Sequence, residues 1–195
     1  MTENFRARLA LFALLAAVLV ATRLNHFGAV PDASWAVFMV SGFYLRRDLR
    51  WAFPVLMVLS VLVDFVVIGG SSASFWSHYC VSPGYWFLLP AYLSMWLAGA
   101  WLARGYAGLR PRELARTALA LLAGVGACHL LAQGGFYWLS PVVAEPTVAG
   151  WWKNFGDWFL PYLGTTSLYV GLAVSLHVAF SLARGLWLGQ AQAPR

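Results

Sequence analysis

Residues 51–68 read WAFPVLMVLSVLVDFVVI, and in that whole run the only charged side chain is Asp64. A stretch so apolar has no polar face to turn toward water, and it approaches the roughly 20 residues that a helix needs to cross a bilayer. Arginines stand just before it (Arg46, Arg47, Arg50) and a polar segment, 69–83 (GGSSASFWSHYCVSP), just after. Such flanks are those of a transmembrane helix with one end held among cations.

Working outward from that run, five further apolar segments emerge at about 7–23, 31–45, 84–103, 112–138 and 160–187. The segment at 31–45 is short, opens on Pro31 and Asp32 as a helix start and closes at Arg46. Composition agrees with this reading. Of 195 residues, 61% are hydrophobic and 10% charged, and the mean hydropathy is +0.69; a soluble domain would carry about 25% charged residues. Disorder and collagen are excluded, and two cysteines cannot form a disulfide framework. The sequence therefore predicts an all-α membrane protein, one integral domain over residues 1–195 with six transmembrane helices.

The cations give the orientation, because cytoplasmic loops retain Lys and Arg. With the N-terminus inside, Arg6, Arg8, Arg46, Arg47, Arg50, Arg104, Arg110, Arg112, Arg116, Arg184 and Arg195 all fall on the inner side. Only Arg23 and Lys153 fall outside. Both termini are then cytoplasmic, and the formal charge of +6 records topology, leaving nothing for a nucleic-acid reading to explain. Cleavage of residues 1–23 as a signal peptide would put the remaining arginines on the wrong side, so the first helix is expected to stay. The chain holds no P-loop motif, hence no ATP site of its own, and no internal repeat of the transporter kind.

On this topology the outer half collects the side chains able to bind or react: Asn25, His26, Asp64, His78, Cys80, Tyr85, Asn154, Asp157 and Trp158. Function is expected to concentrate in the two outer segments, 69–83 and 139–159. Asp64 near the outer end of its helix costs about 2–3 kcal/mol unless paired or wetted; it either accepts a hydrogen bond from a polar ligand or pairs with His26 or Arg23. Cys80 has no second loop cysteine, so it is a candidate ligand or nucleophile, whereas Cys128 reads as a small core residue. His78-Tyr79-Cys80 lacks the further ligands of a zinc site, yet a soft thiolate can take one open position on a metal that arrives inside a cofactor. His129 reads as a neutral histidine bonded to a neighbouring helix and His177 as structural. Trp51, Trp101 and Trp187 fit an inner interfacial belt. Trp76, Trp86, Trp138, Trp151, Trp152 and Trp158 either form the outer belt or line a large flat ligand. Ala13, Ala17 and Ala21 put small side chains on one face of the first helix, where another helix can approach closely.

Six helices in a chain of this length, an arginine-rich inner face, a ligand-sized set of outer loops and the alanine stripe together resemble the S-components of energy-coupling factor (ECF) vitamin transporters. Within that group, RLNHFGAVPDASWAVFM and VLVDFVVIGGSSASFWSHYCVSPGYW resemble the BtuM-type cobalamin uptake proteins of Gram-negative bacteria, above all in the loop cysteine followed by Pro-Gly-Tyr-Trp. The resemblance covers essentially the whole chain. It implies a bacterial inner-membrane protein that binds cobalamin (vitamin B12) from the periplasmic side, with Cys80 as an axial ligand of the corrin cobalt and a possible loss of cyanide from cyanocobalamin. It further implies that Asp64, His26 and Tyr85 hydrogen-bond corrin amides, with Asn25, His78 and Trp158 completing the ligand set. Partners would be cobalamin, the lipid bilayer and either an ECF coupling subunit with two ATPases, docked through Ala13 and Ala17, or no coupling module at all. Two other readings stay open: an S-component for a different vitamin, and a membrane thiol enzyme with Cys80 as nucleophile and His78 or His26 as base.

Overall fold

The computed structural model describes residues 2–24, 30–70, 74–78 and 81–191. Among these the chain is all helical, with six α-helices: α1 Thr2–Leu24, α2 Ser34–Tyr44, α3 Leu49–Gly70, α4 Leu88–Arg104, α5 Pro111–Leu139 and α6 Val148–Ala191. Short 3-10 turns at Arg46–Asp48, Phe75–Ser77 and Pro83–Phe87 join them. Five helical segments are long and apolar enough to cross a membrane: Phe5–Leu24, Arg46–Gly70, Pro83–Arg104, Pro111–Leu139 and Val148–Gly185. Large apolar side chains accordingly stay exposed along them, Leu14, Val58, Val66, Leu119, Leu168 and Phe180 among others.

The second span, expected to be short, is shorter still. α2 has 11 residues, a length of about 16 Å at 1.5 Å per residue, half of a hydrocarbon core. Eight of its residues are buried, Ser34 through Met39 with Ser41 and Gly42. It runs inside the bundle against α1, α4 and α6, and it carries the chain from the level of Arg23, which bonds Ser34, to that of Arg8, which pairs with Asp48. Glycines permit that enclosure: a Cβ on Gly42 would land on the Trp96 carbonyl, and one on Gly99 on the Met39 carbonyl. The backbones of α2 and α4 thus cross with no side chain between them, and Phe38, Tyr92, Met95 and Trp96 are buried around the crossing.

The sixth helix also departs from expectation. It begins at Val148, not near 160, so most of the expected outer loop 139–159 is helix. Lys153, Asn154 and Asp157 make this stretch too polar to read as a span. Its aromatic residues nevertheless recur with helical period, at Trp151, Phe155, Trp158 and Tyr162, and Lys153 pairs with Asp157 one turn on at 2.6 Å.

The cations segregate as the sequence suggests. Arg6, Arg8, Arg46, Arg47, Arg50, Arg104, Arg110, Arg112, Arg116 and Arg184 lie toward one end of the helices, while Arg23 and Lys153 lie at the other. Arg195 lies outside the described residues.

Candidate functional site

At the end opposite the arginines, all six helices contribute to a cavity of about 400 Å³. Helical spacing supplies its walls. Asp64, Val67 and Ile68 share a face of α3; Leu88 and Tyr92 lie one turn apart on α4; Asn154, Trp158 and Tyr162 follow at intervals of four on α6. Arg23 enters from the end of α1, Trp35 from α2, Gln133 and Phe136 from α5, and His78 and Tyr85 from the segments between α3 and α4.

Arg23 is the hub of the polar wall. Its Nε donates to Asp64 Oδ1 at 2.7 Å and its Nη2 to Asp64 Oδ2 at 2.6 Å, while Nη1 reaches Asp32 Oδ2 at 3.0 Å, Ser34 Oγ at 3.1 Å and the Tyr92 hydroxyl at 2.9 Å. The Tyr85 hydroxyl donates to Asp64 Oδ2 at 2.6 Å. Three of the roughly four lone-pair positions of the Asp64 carboxylate are filled in this way. Among the described residues one cation faces two carboxylates, and a wall of this kind favours ligands that bring N–H donors. Burying such a group is tolerable only because nearly every donor and acceptor is matched; the Arg23 side chain is 7% exposed.

The positions of Arg23 and Tyr85 have local causes. Thr22 donates to the Val18 carbonyl at 2.9 Å and accepts the Ala33 N–H at 3.1 Å, which ties the end of α1 to the start of α2. Asp32 Oδ1 accepts the Ser34 N–H at 2.8 Å and the Ser34 hydroxyl at 2.6 Å, opening α2. In the Pro-Gly-Tyr-Trp motif, Pro83 starts a 3-10 turn, and a Cβ on Gly84 would strike the Gly135 carbonyl of α5. Glycine there lets the turn lie directly on α5, which aims Tyr85 at Asp64.

Of the residues expected to bind or react, the structure gathers Asp64, Tyr85, His78, Asn154 and Trp158 around one cavity. Asn25, His26 and Cys80 lie outside the described residues. Asp64 pairs with Arg23, one of the two partners weighed for it from the sequence. Asp157 turns away and meets only Lys153 among the contacts described for it. Trp76, Trp86, Trp138 and Trp152 are exposed, as an interfacial belt requires, and of the six tryptophans expected at this end Trp158 is the one among the cavity-lining residues. Ala13 and Ala17 are exposed on α1, with no other helix covering them among the described residues.

Residues that sequence reasoning passed over are Tyr92, Trp35, Tyr162 and Gln133. Trp35 stacks on Tyr162 with ring centroids 4.6 Å apart and planes 13° from parallel, an aromatic wall between α2 and α6. Behind it His129, fully buried, holds the Phe155 carbonyl at 2.9 Å through Nε2. A carbonyl can only accept, so Nε2 carries the proton and Nδ1 is a bare lone pair in the neutral ring. The signal for the hub was present: Arg23 is an arginine at the wrong end of the topology pattern, and an ionisable group at such a place marks a site.

Among the described residues, no three His, Cys, Asp or Glu side chains gather as a metal site would need. No protein-family model matches the chain, and no curated protein matches it significantly.

Proposed function

We propose that this chain is a multi-pass protein of the bacterial inner membrane, an S-component-like bundle with both termini cytoplasmic, that binds cobalamin from the periplasmic side and takes it up. The observation that carries the reading is the convergence of His78 and Tyr85 on one cavity, because Cys80 stands between them in the sequence. A thiolate supplied from that segment would take an axial position on the corrin cobalt, whose four equatorial places the corrin nitrogens already fill. The metal would then bring its other ligands with it, as a chain with one candidate sulfur donor requires. Asp64, held with one lone-pair position to spare, would accept a corrin amide N–H; Tyr85 and His78 would flank it, and Trp158 and Trp35 would cover apolar edges. Asn25 and His26 complete the proposed set.

Decyanation would use the same bond. If the Cys80 sulfur bonded to cobalt in exchange for cyanide, the cyanide would leave with its bonding pair and the proton given up by the thiol would leave with it as hydrogen cyanide. Such an exchange would leave the cobalt oxidation number unchanged and would need no reductant. Transport by docking on an ECF coupling subunit is supported by the exposed Ala13 and Ala17 face; transport by the solitary chain uses the same cavity.

One observation favours a second reading. About 400 Å³ is the size of a cavity for a drug-sized ligand, and a corrinoid is larger, so cobalamin would seat one part of itself and cover the mouth with the rest. A smaller vitamin would fit entirely. The test is to purify the chain from cells given cobalamin and separately from cells given a mixture of smaller vitamins. Co-elution of a red corrin chromophore supports the first reading, and a colourless protein carrying a smaller vitamin supports the second.

A further inference from the structure

A second concave site lies at the arginine-rich end, lined by Arg46, Arg47, Leu49, Trp96, Leu97, Ala100 and Arg104, with a volume of about 390 Å³. Leu97, Ala100 and Arg104 fall at i, i+3 and i+7 on α4, a single face running from the apolar depth of the bundle to its edge. Leu97 is 52% exposed and Trp101 beside it 45%, so this face looks out of the bundle. Ala100 leaves the floor hollow, and the turn Arg46–Asp48 stands over it.

The three guanidinium groups at the rim have no acidic partner among the described residues. The acids at this end whose side chains are described are Asp48 and Glu113. Asp48 is taken by Arg8 at 2.9 Å and by the Trp51 indole N–H at 3.2 Å. Glu113 is taken by Arg112 and Arg116. Three cations around one cleft repel each other, and a planar guanidinium matches phosphate oxygens in pairs. Their depth decides what kind of anion they suit. They sit where α4 ends, which in a bundle spanning a bilayer is the headgroup level, while the cleft continues along α4 past Ala100 to the exposed Leu97.

We propose that this cleft is a binding site for an anionic phospholipid, its phosphate among Arg46, Arg47 and Arg104 and the start of an acyl chain along Ala100 and Leu97. The site rests on the chain spanning a bilayer and is independent of what the opposite cavity binds. A bound lipid would offset one of the three rim charges, lessen their mutual repulsion and fasten the α3 start to the α4 end, fixing the bundle's height in the membrane.

The test uses the full chain purified into mixed micelles holding equal amounts of phosphatidylglycerol and phosphatidylcholine, with retained lipid counted by native mass spectrometry. The natural chain should retain phosphatidylglycerol preferentially, and each arginine replaced should weaken that preference about fivefold, so that R46Q/R47Q/R104Q abolishes it. Ala100→Phe, which fills the floor and leaves the arginines, should abolish it too. Leu97→Trp at the exposed mouth serves if the first filled variant does not fold. R110Q/R112Q, cations at the same end outside the cleft, should change little. Equal retention of both lipids by the natural chain overturns the proposal, as does a preference that survives the triple substitution. A preference lost in the triple variant but intact in both filled variants assigns the lipid to the general basic face and overturns the cleft.

Discussion

Arg23 holds Asp64 with two parallel hydrogen bonds, Nε to Oδ1 at 2.7 Å and Nη2 to Oδ2 at 2.6 Å, across the gap between α1 and α3. The pair closes one wall of the cavity and is the chief polar tie between these helices. Breaking a buried pair strands a charge in a medium that cannot solvate it. Asp64→Ala should therefore destabilise the chain by about 3 kcal/mol, the low end for such pairs because Asp32 still faces Arg23. The midpoint of denaturant unfolding in detergent measures this. The triple variant Arg23→Met/Asp32→Asn/Asp64→Leu, which leaves no carboxylate facing the lost cation, should recover much of the loss, and an equally unstable triple variant would show that the pair is not the reason.

Tyr85→Phe keeps the ring and removes only the hydroxyl that donates to Asp64 at 2.6 Å. A hydrogen bond to a charged group is worth about 1.5–3 kcal/mol, so unfolding should shift by that amount. Combined with Asp64→Ala the two effects should overlap instead of adding, because Tyr85 then has no carboxylate to lose. Additive losses would place the Tyr85 contribution elsewhere.

Two classes of glycine should behave oppositely. Gly99→Ala drives a methyl into the Met39 carbonyl and Gly84→Ala into that of Gly135, so each should cost at least about 1–3 kcal/mol by overpacking. A methyl on Gly126, in the middle of α5, would meet no atom within 4 Å. Gly126→Ala should stabilise the chain by about 0.5–1 kcal/mol through helix propensity. Thermal unfolding of the three single variants checks the order.

The spans and the segregation of cations were legible because both are properties of composition along the chain, which the bilayer imposes without reference to tertiary packing. α2 was harder. Its 11 residues are as apolar as a lipid-facing span, and only the Gly42 and Gly99 crossings, a relation between distant segments, show that it runs inside the bundle. The start of α6 was hidden by the polarity of Lys153, Asn154 and Asp157, although the period of Trp151, Phe155 and Trp158 was there to read. In the site, Asp64, Tyr85, His78 and Trp158 stood out as polar or aromatic residues at one end. Tyr92, Trp35 and Tyr162 did not, since an aromatic residue within a span looks the same in the sequence whether it faces lipid, core or cavity.

The two cysteines should differ in reactivity. Cys128 is fully buried in α5 and should resist a maleimide in the folded protein. Cys80 should label, and prior loading with cobalamin should protect it if its sulfur is on cobalt. Mass shifts of the natural chain, Cys80→Ala and Cys128→Ala, each with and without cobalamin, separate the cases. Labelling of Cys80 at the same rate in loaded protein would count against coordination.

A bond between the Cys80 sulfur and cobalt is read most directly by the visible absorption spectrum of cobalamin bound to the purified protein. The natural chain should hold the corrin with bands displaced from those of free cyanocobalamin, and Cys80→Ala should show no such displacement, whether it still binds the vitamin or not. Identical corrin spectra for bound cobalamin in the natural chain and in Cys80→Ala would contradict coordination by this thiolate.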